Sequence, residues 1–140
     1  MVGVVLATHG RLAEEILRAA EGICGPFENC RAITLSATSA IEDAREVLAG
    51  AIEEVEQGQG VLVLTDMFGG TPSNLALTFL DDHVEVVTGV NLPMLLKLTT
   101  ARGEGTTLEA LARTIATHGQ KNITLASELL RARVKGGSRA

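Results

Sequence analysis

The chain's 140 residues, 46% hydrophobic and 21% charged, suit one globular domain with a sizeable core and exclude a disordered or collagen-like chain. A net charge of −5, with three Phe and no Trp or Tyr, argues against nucleic-acid binding and against attachment to anionic membranes.

Val2–Ala7 is a β-branched apolar run and reads as a first strand. It is too short for a secretory or membrane-spanning segment and no basic stretch precedes it, so a cytoplasmic protein without membrane insertion is expected. Behind it, Leu12, Ala13, Ile16, Leu17, Ala20 and Ile23 recur along one side of a 3.6-residue repeat, which predicts a helix ending near Gly25-Pro26. Cys24 and Cys30 flank that turn at a spacing that is neither a CxxC redox pair nor half of a zinc pattern, so they read as free thiols of a reducing compartment. Arg31–Leu35 is the second strand. Ile41, Ala44, Val47, Leu48, Ala51, Ile52 and Val55 mark the second helix before Gly58 and Gly60, with Ser39 placed to cap it.

The third strand, Val61–Thr65, runs into Asp66-Met67-Phe68-Gly69-Gly70-Thr71-Pro72-Ser73-Asn74, where Thr71 serves as N-cap and Pro72 as first helical residue of a helix reaching Leu80. The fourth, Val84–Thr88, leads through Gly89–Met94 into an apolar helix ending near Arg102-Gly103. Another helix spans Leu108 to His118, closed by Gly119. Asn122–Leu125 has the pattern of a last short strand. Arg131–Ala140, with four basic residues and a Gly136-Gly137-Ser138 run, reads as a frayed tail after a single domain of residues 1–130. The alternation of strands and helices predicts an α/β, doubly wound, mostly parallel sheet with helices on both faces. Such sheets bind ligands at the carboxyl ends of their strands, where the strand order reverses.

Thr8-His9-Gly10 closes the first strand and Asp66 follows the third. If those strands are neighbours, the Asp66 carboxylate comes within hydrogen-bonding distance of the His9 imidazole. It then fixes one tautomer and leaves the other ring nitrogen free to attack an electrophile. The competing reading makes Asp66 a turn cap and His9 an ordinary polar residue. Gly69-Gly70-Thr71 before a helix offers converging backbone N–H groups for an anion such as a phosphoryl group, with the Thr71 and Ser73 hydroxyls beside them; equally, it is a tight turn requiring positive φ. No GxxxxGK[ST] and no strand-following GxGxxG occurs, which removes support for a nucleotide or dinucleotide site. Ala7-Thr8-His9 lacks the acidic residues that a magnesium-dependent phosphoaspartate receiver needs. His83 reads as a turn residue and His118 as a helix C-terminal cation. Three scattered histidines without His-x-x-x-His spacing predict no metal, and no cofactor is expected.

Thr8-His9-Gly10, the Asp66–Asn74 run and Gly89-Val90-Asn91-Leu92-Pro93-Met94 together resemble the mannose-type enzyme IIA domain of the bacterial sugar phosphotransferase system. The likeness covers nearly the whole chain, and the Asp-x-x-Gly-Gly-[ST]-Pro run is its specific part. It implies that His9 is the phosphoacceptor, charged by phospho-HPr and discharged to an enzyme IIB in carbohydrate uptake. Asp66 then holds Nδ1, Nε2 attacks phosphorus, and the amides of Gly69, Gly70 and Thr71 receive the phosphoryl oxygens. The resemblance also implies a four-stranded parallel sheet plus a short antiparallel C-terminal strand exchanged in a homodimer, with Asn122–Leu125 as the candidate. Both protein partners dock at the His9 rim, where Met67, Phe68, Leu92 and Met94 are candidate apolar contacts and Arg11 faces an acidic or phosphorylated surface. Leu92 and Met94 also fit a core. Two alternatives share His9: a regulatory module reporting phosphorylation state, and the phosphocarrier subunit of a dihydroxyacetone kinase. A histidine phosphatase needs Arg before its His-Gly pair, where this chain has Thr8.

Overall fold

The computed structural model describes residues 1–35 and 40–137, so the proposed Ser39 cap lies outside the described residues. In chain order the elements are β1 (Gly3–His9), α1 (Leu12–Cys24), β2 (Cys30–Leu35), α2 (Ile41–Val55), β3 (Val61–Thr65), α3 (Thr71–Leu77), β4 (Val84–Thr88), α4 (Leu92–Ala101), α5 (Leu108–Lys121) and α6 (Ala126–Gly137). The strands form one parallel sheet in the order β2-β1-β3-β4.

β1 sits inside this sheet and is covered on both sides, which is why it reads as a continuous apolar run. Val4 and Leu6 enter a core shared with α1, α4 and α5, while Val5 and Ala7 enter a second core shared with α2 and α3. Leu62, Leu64, Leu95, Leu98, Leu111 and Ile115 fill the first core; Ile33, Leu48, Val61, Val63 and Leu75 fill the second. Each such side chain contributes about 1.5–3 kcal/mol by leaving water. The chain turns to α1 on one face after β1 and to α3 on the other face after β3, so a crevice opens between these two adjacent strands at their carboxyl ends.

At the opposite end of the sheet Arg102 is buried and donates to the carbonyls of Val2 (3.2 Å), Asn29 (2.9 Å) and Glu28. Burial lowers its pKa, opposed by the nearby Cys30 and Glu28. Burial also pushes the Cys30 thiol up to about 12, which keeps it protonated and unreactive.

Several boundaries differ from the sequence expectation. α3 begins at Thr71, with Gly70 as its N-cap and no side-chain cap, and it stops at Leu77. Beyond it Thr78, Phe79 and Leu80 continue in tighter turns, their N–H groups donating to Leu75, Ala76 and Leu77. Gly119 does not close α5, which runs on to Lys121. It is buried inside the helix, where a Cβ would overlap Met94 Cε, so glycine serves close packing of α5 on α4 rather than termination. Asn91 strengthens that contact: its Oδ1 accepts the Met94 N–H at 3.1 Å and its Nδ2 donates to the Gly119 carbonyl at 3.1 Å.

No strand forms over Asn122–Leu125 in this single chain. Asn122 caps α5 and residues 123–125 are irregular, with every side chain from Asn122 to Val134 exposed. An extended segment needs to pair its backbone groups with a neighbouring edge, and this one pairs with none of the described strands. The stretch read as a frayed tail from Arg131 continues α6 as far as Gly137. Leu, Ala, Arg and Lys favour helix, and the weakening glycines come only at its end. Among the described residues no helix is long and apolar enough to cross a membrane.

Candidate active site

Ala7 pairs with Thr65 across β1 and β3, so His9 and Asp66 leave the sheet side by side. Asp66 Oδ2 accepts the His9 backbone N–H at 3.1 Å and contacts His9 Nδ1 at 2.8 Å, while Oδ1 accepts the Met67 N–H at 3.1 Å. An ionised carboxylate only accepts, so Nδ1 carries the proton and Nε2 presents its lone pair. Burial alone would raise the Asp66 pKa. The hydrogen bonds from the His9 ring and backbone, with the charge of His9, outweigh that and hold it below the usual aspartate value. The Asp66 side chain is 14% exposed and that of His9 is 51% exposed. The carboxylate is therefore sheltered beneath a ring that faces solvent.

The loops explain this placement. Gly10, at φ 52°, turns the chain from β1 into α1, and Gly69, at φ 91°, turns it from Asp66 towards α3. Thr8, which the sequence analysis did not single out, is buried under the turn. Its hydroxyl accepts the Ala13 N–H at 2.7 Å and donates to the His9 carbonyl at 3.2 Å, tying the first turn of α1 to the histidine's own backbone. A threonine just before His-Gly and a following helix was the available signal, because such hydroxyls satisfy the free N–H groups of a helix start.

The other candidates divide. Met67 and Phe68 are well exposed, Phe68 at 71%, and Thr71 is exposed beside Gly69 and Gly70. Ser73 is fully buried, and its Oγ has no hydrogen-bond partner among the described residues, so its hydroxyl is closed to anything approaching the His9 ring from solvent. Met94 is 4% exposed and Leu92 is half-buried against the same core, because both sit in the first turn of an apolar helix packed on α5. Neither offers the free apolar surface expected of a docking residue. Arg11 is exposed and lies against Glu14 (3.4 Å) and Glu15 (3.8 Å) of its own helix. Glu14 also accepts from Thr34 at 2.7 Å, and that bond leads the causes that lower its pKa. Leu12 and Ile41, the first residues of α1 and α2, are exposed at the carboxyl ends of the strands. Their place in the apolar periodicity disguised them as core.

The chain is similar to known proteins over most of its length. The profile of the family described as "PTS system fructose IIA component" matches residues 3–116. The fructose-specific EIIA component of Bacillus subtilis is 30% identical over 132 residues, covering 93% of this chain and 90% of that protein. The mannose-specific EIIAB component of Escherichia coli K12 is 32% identical over 124 residues, covering 87% of this chain; the chain spans 38% of that relative's length. The crystal structure of the phosphotransferase system component EIIA from Streptococcus agalactiae superposes with a TM-score of 0.81 at 27% identity, over 91% of this chain and 99% of that one. The matched span runs from the start of β1 into α5 and holds His9, Asp66 and the glycine loop, and by it this chain belongs to the fructose and mannose EIIA family of the phosphotransferase system.

Proposed function

We infer that this protein is a phosphocarrier: His9 Nε2 takes a phosphoryl group from phospho-HPr and passes it to an enzyme IIB in carbohydrate uptake. The observation that carries this reading is the pairing of Nδ1 with a sheltered carboxylate on a histidine whose side chain is half exposed. In the transfer the donor's P–N bond breaks as the Nε2–P bond forms, and the donor imidazole leaves with its electron pair. Positive charge then grows on the His9 ring, and Asp66 opposes it through the Nδ1–H bond. The exposed Thr71 hydroxyl and the amides of Gly69, Gly70 and Thr71 are the groups assigned to the phosphoryl oxygens. Catalysis on this reading is positioning and charge compensation.

Partner docking falls to the exposed apolar rim of Leu12, Ile41, Met67 and Phe68. Mannose and fructose in the relatives' names support a role in sugar uptake, exercised in the cytoplasm. The protein acts as a homodimer on this reading. β4 is an edge of the sheet, and Ile123 and Leu125 are exposed in an irregular segment that would become an antiparallel strand by adding to the β4 edge of a second copy.

The test is phosphoryl transfer from phosphoenolpyruvate through enzyme I and HPr, followed by addition of an enzyme IIB. Wild type should be labelled and then discharged by the IIB, and His9→Ala should stay unlabelled. Labelling of His9→Ala at the wild-type level overturns the assignment. Return of the label to HPr alone removes the uptake role and leaves a regulatory one.

A further inference from the structure

The two glycines before α3 are there for different reasons. Gly69 has φ 91°, a conformation side chains rarely adopt, and a Cβ on it would meet open space. Gly70 has φ −85° and ψ 169°, extended backbone open to any residue. A Cβ on Gly70, however, would lie 2.5 Å from His9 Cε1 and 2.9 Å from His9 Nε2, with Met67 Cγ next at 3.6 Å. Glycine is required at position 70 by the imidazole ring, not by the backbone.

We propose that Gly70 is a positioning residue for His9, its missing side chain being the slot that lets the ring lie with Nδ1 on Asp66 and Nε2 free. The ring is held at Nδ1 by the 2.8 Å contact to Asp66, and position 70 lies against its Cε1–Nε2 side, where only a missing Cβ leaves room. Of the two sides, the histidine is the one that yields. Gly70 is the N-cap of α3, its carbonyl accepts the Asn74 N–H at 2.9 Å, and Pro72 and Ser73 just behind it are buried. The ring, half exposed, is free to swing outward and lose Asp66. A methyl group at position 70 therefore uncouples the imidazole from its carboxylate while leaving the fold intact. This role rests on the phosphocarrier reading but is separable from it, because the ring geometry is observable without any phosphoryl donor.

The experiment compares Gly70→Ala with Gly69→Ala by the 15N signals of the His9 ring nitrogens and by the rate of phosphorylation from phospho-HPr. Gly70→Ala should melt near wild type, lose the single Nδ1–H tautomer signature and accept phosphoryl at least about tenfold more slowly. Gly69→Ala should lose stability through its backbone strain while keeping that signature. A stability cycle covers the case in which Gly70→Ala unfolds: in a His9→Ala background the methyl should cost nothing, since the ring it overlaps is gone. Unchanged ring signals in a folded Gly70→Ala overturn the proposal, and so, where Gly70→Ala is destabilised, does an equal loss in the His9→Ala background. If wild type accepts no phosphoryl while the tautomer still responds to Gly70→Ala, the functional reading fails and the positioning role stands.

Discussion

Asp66 holds His9 at two points through one oxygen, the ring Nδ1 at 2.8 Å and the backbone N–H at 3.1 Å. Ring orientation and loop position thus depend on the same carboxylate atom. An amide in its place keeps an acceptor but loses the charge that opposes the developing imidazolium. Asp66→Asn should slow phosphorylation of His9 by at least about 10-fold, and by up to about 10⁴-fold where the amide also holds the wrong tautomer. Rapid-quench measurement of the transfer rate checks this, with near-wild-type melting showing that the fold is retained.

The same bonds give stability a defined pH dependence. The Asp66 pKa is lowered in the folded protein, so its contribution is complete above the ordinary aspartate value of about 3.9 and is lost as pH falls through the lowered folded value. The stability gap between wild type and Asp66→Asn should narrow as pH falls through that region. Urea denaturation from about pH 5 to about pH 3 reads this directly; a gap that widens over that range contradicts it.

Thr8 offers a test of how the histidine backbone is secured. Thr8→Val keeps the shape but leaves the Ala13 N–H without its 2.7 Å acceptor in a buried place. The expected loss is about 1–3 kcal/mol, and Thr8→Ser should restore most of it. Denaturant midpoints of the three proteins measure both effects.

How much of this was legible in the sequence differs by region. β3, β4 and the start of α1 were readable because apolar residues recur at strand or helix spacing between turn residues, and Asn91 and Pro93 announce α4. His9 and Asp66 were readable as a pair because the βα order places strands one and three side by side, which the sheet order β2-β1-β3-β4 shows. Gly119 was misread because helix-closing and helix-packing glycines look alike until the opposing Met94 is known. Ser73 and Met94 were misplaced for a related reason: motif membership gives no depth, and both lie in first helical turns that pack inward. Leu12 and Ile41 show the converse, since an apolar stripe continues onto the rim where the core ends. Asn122–Leu125 carries a strand pattern, but a pattern does not choose an edge, and in this chain the segment pairs with none of the four strands.

Arg102 supplies a control remote from the rim. Its guanidinium joins the carbonyls of Val2, Glu28 and Asn29 at the amino ends of β1 and β2. Arg102→Met removes all three bonds, the one to the buried Val2 carbonyl among them, and should lower stability by about 2 kcal/mol. At temperatures where the variant stays folded, its phosphorylation rate should match wild type. Equal loss of stability and of transfer rate in folded protein would contradict the separation of the two ends.

The role of His9 is tested most directly by locating the phosphorus. Protein charged by phospho-HPr and labelled with 15N-histidine is examined for phosphorus–nitrogen coupling under alkaline conditions that preserve phosphohistidine. Coupling to Nε2 of His9, with none at Nδ1 and none at His83 or His118, is the expected result. Coupling at any other nitrogen, or an uncharged protein after full exposure to the donor, contradicts the assignment.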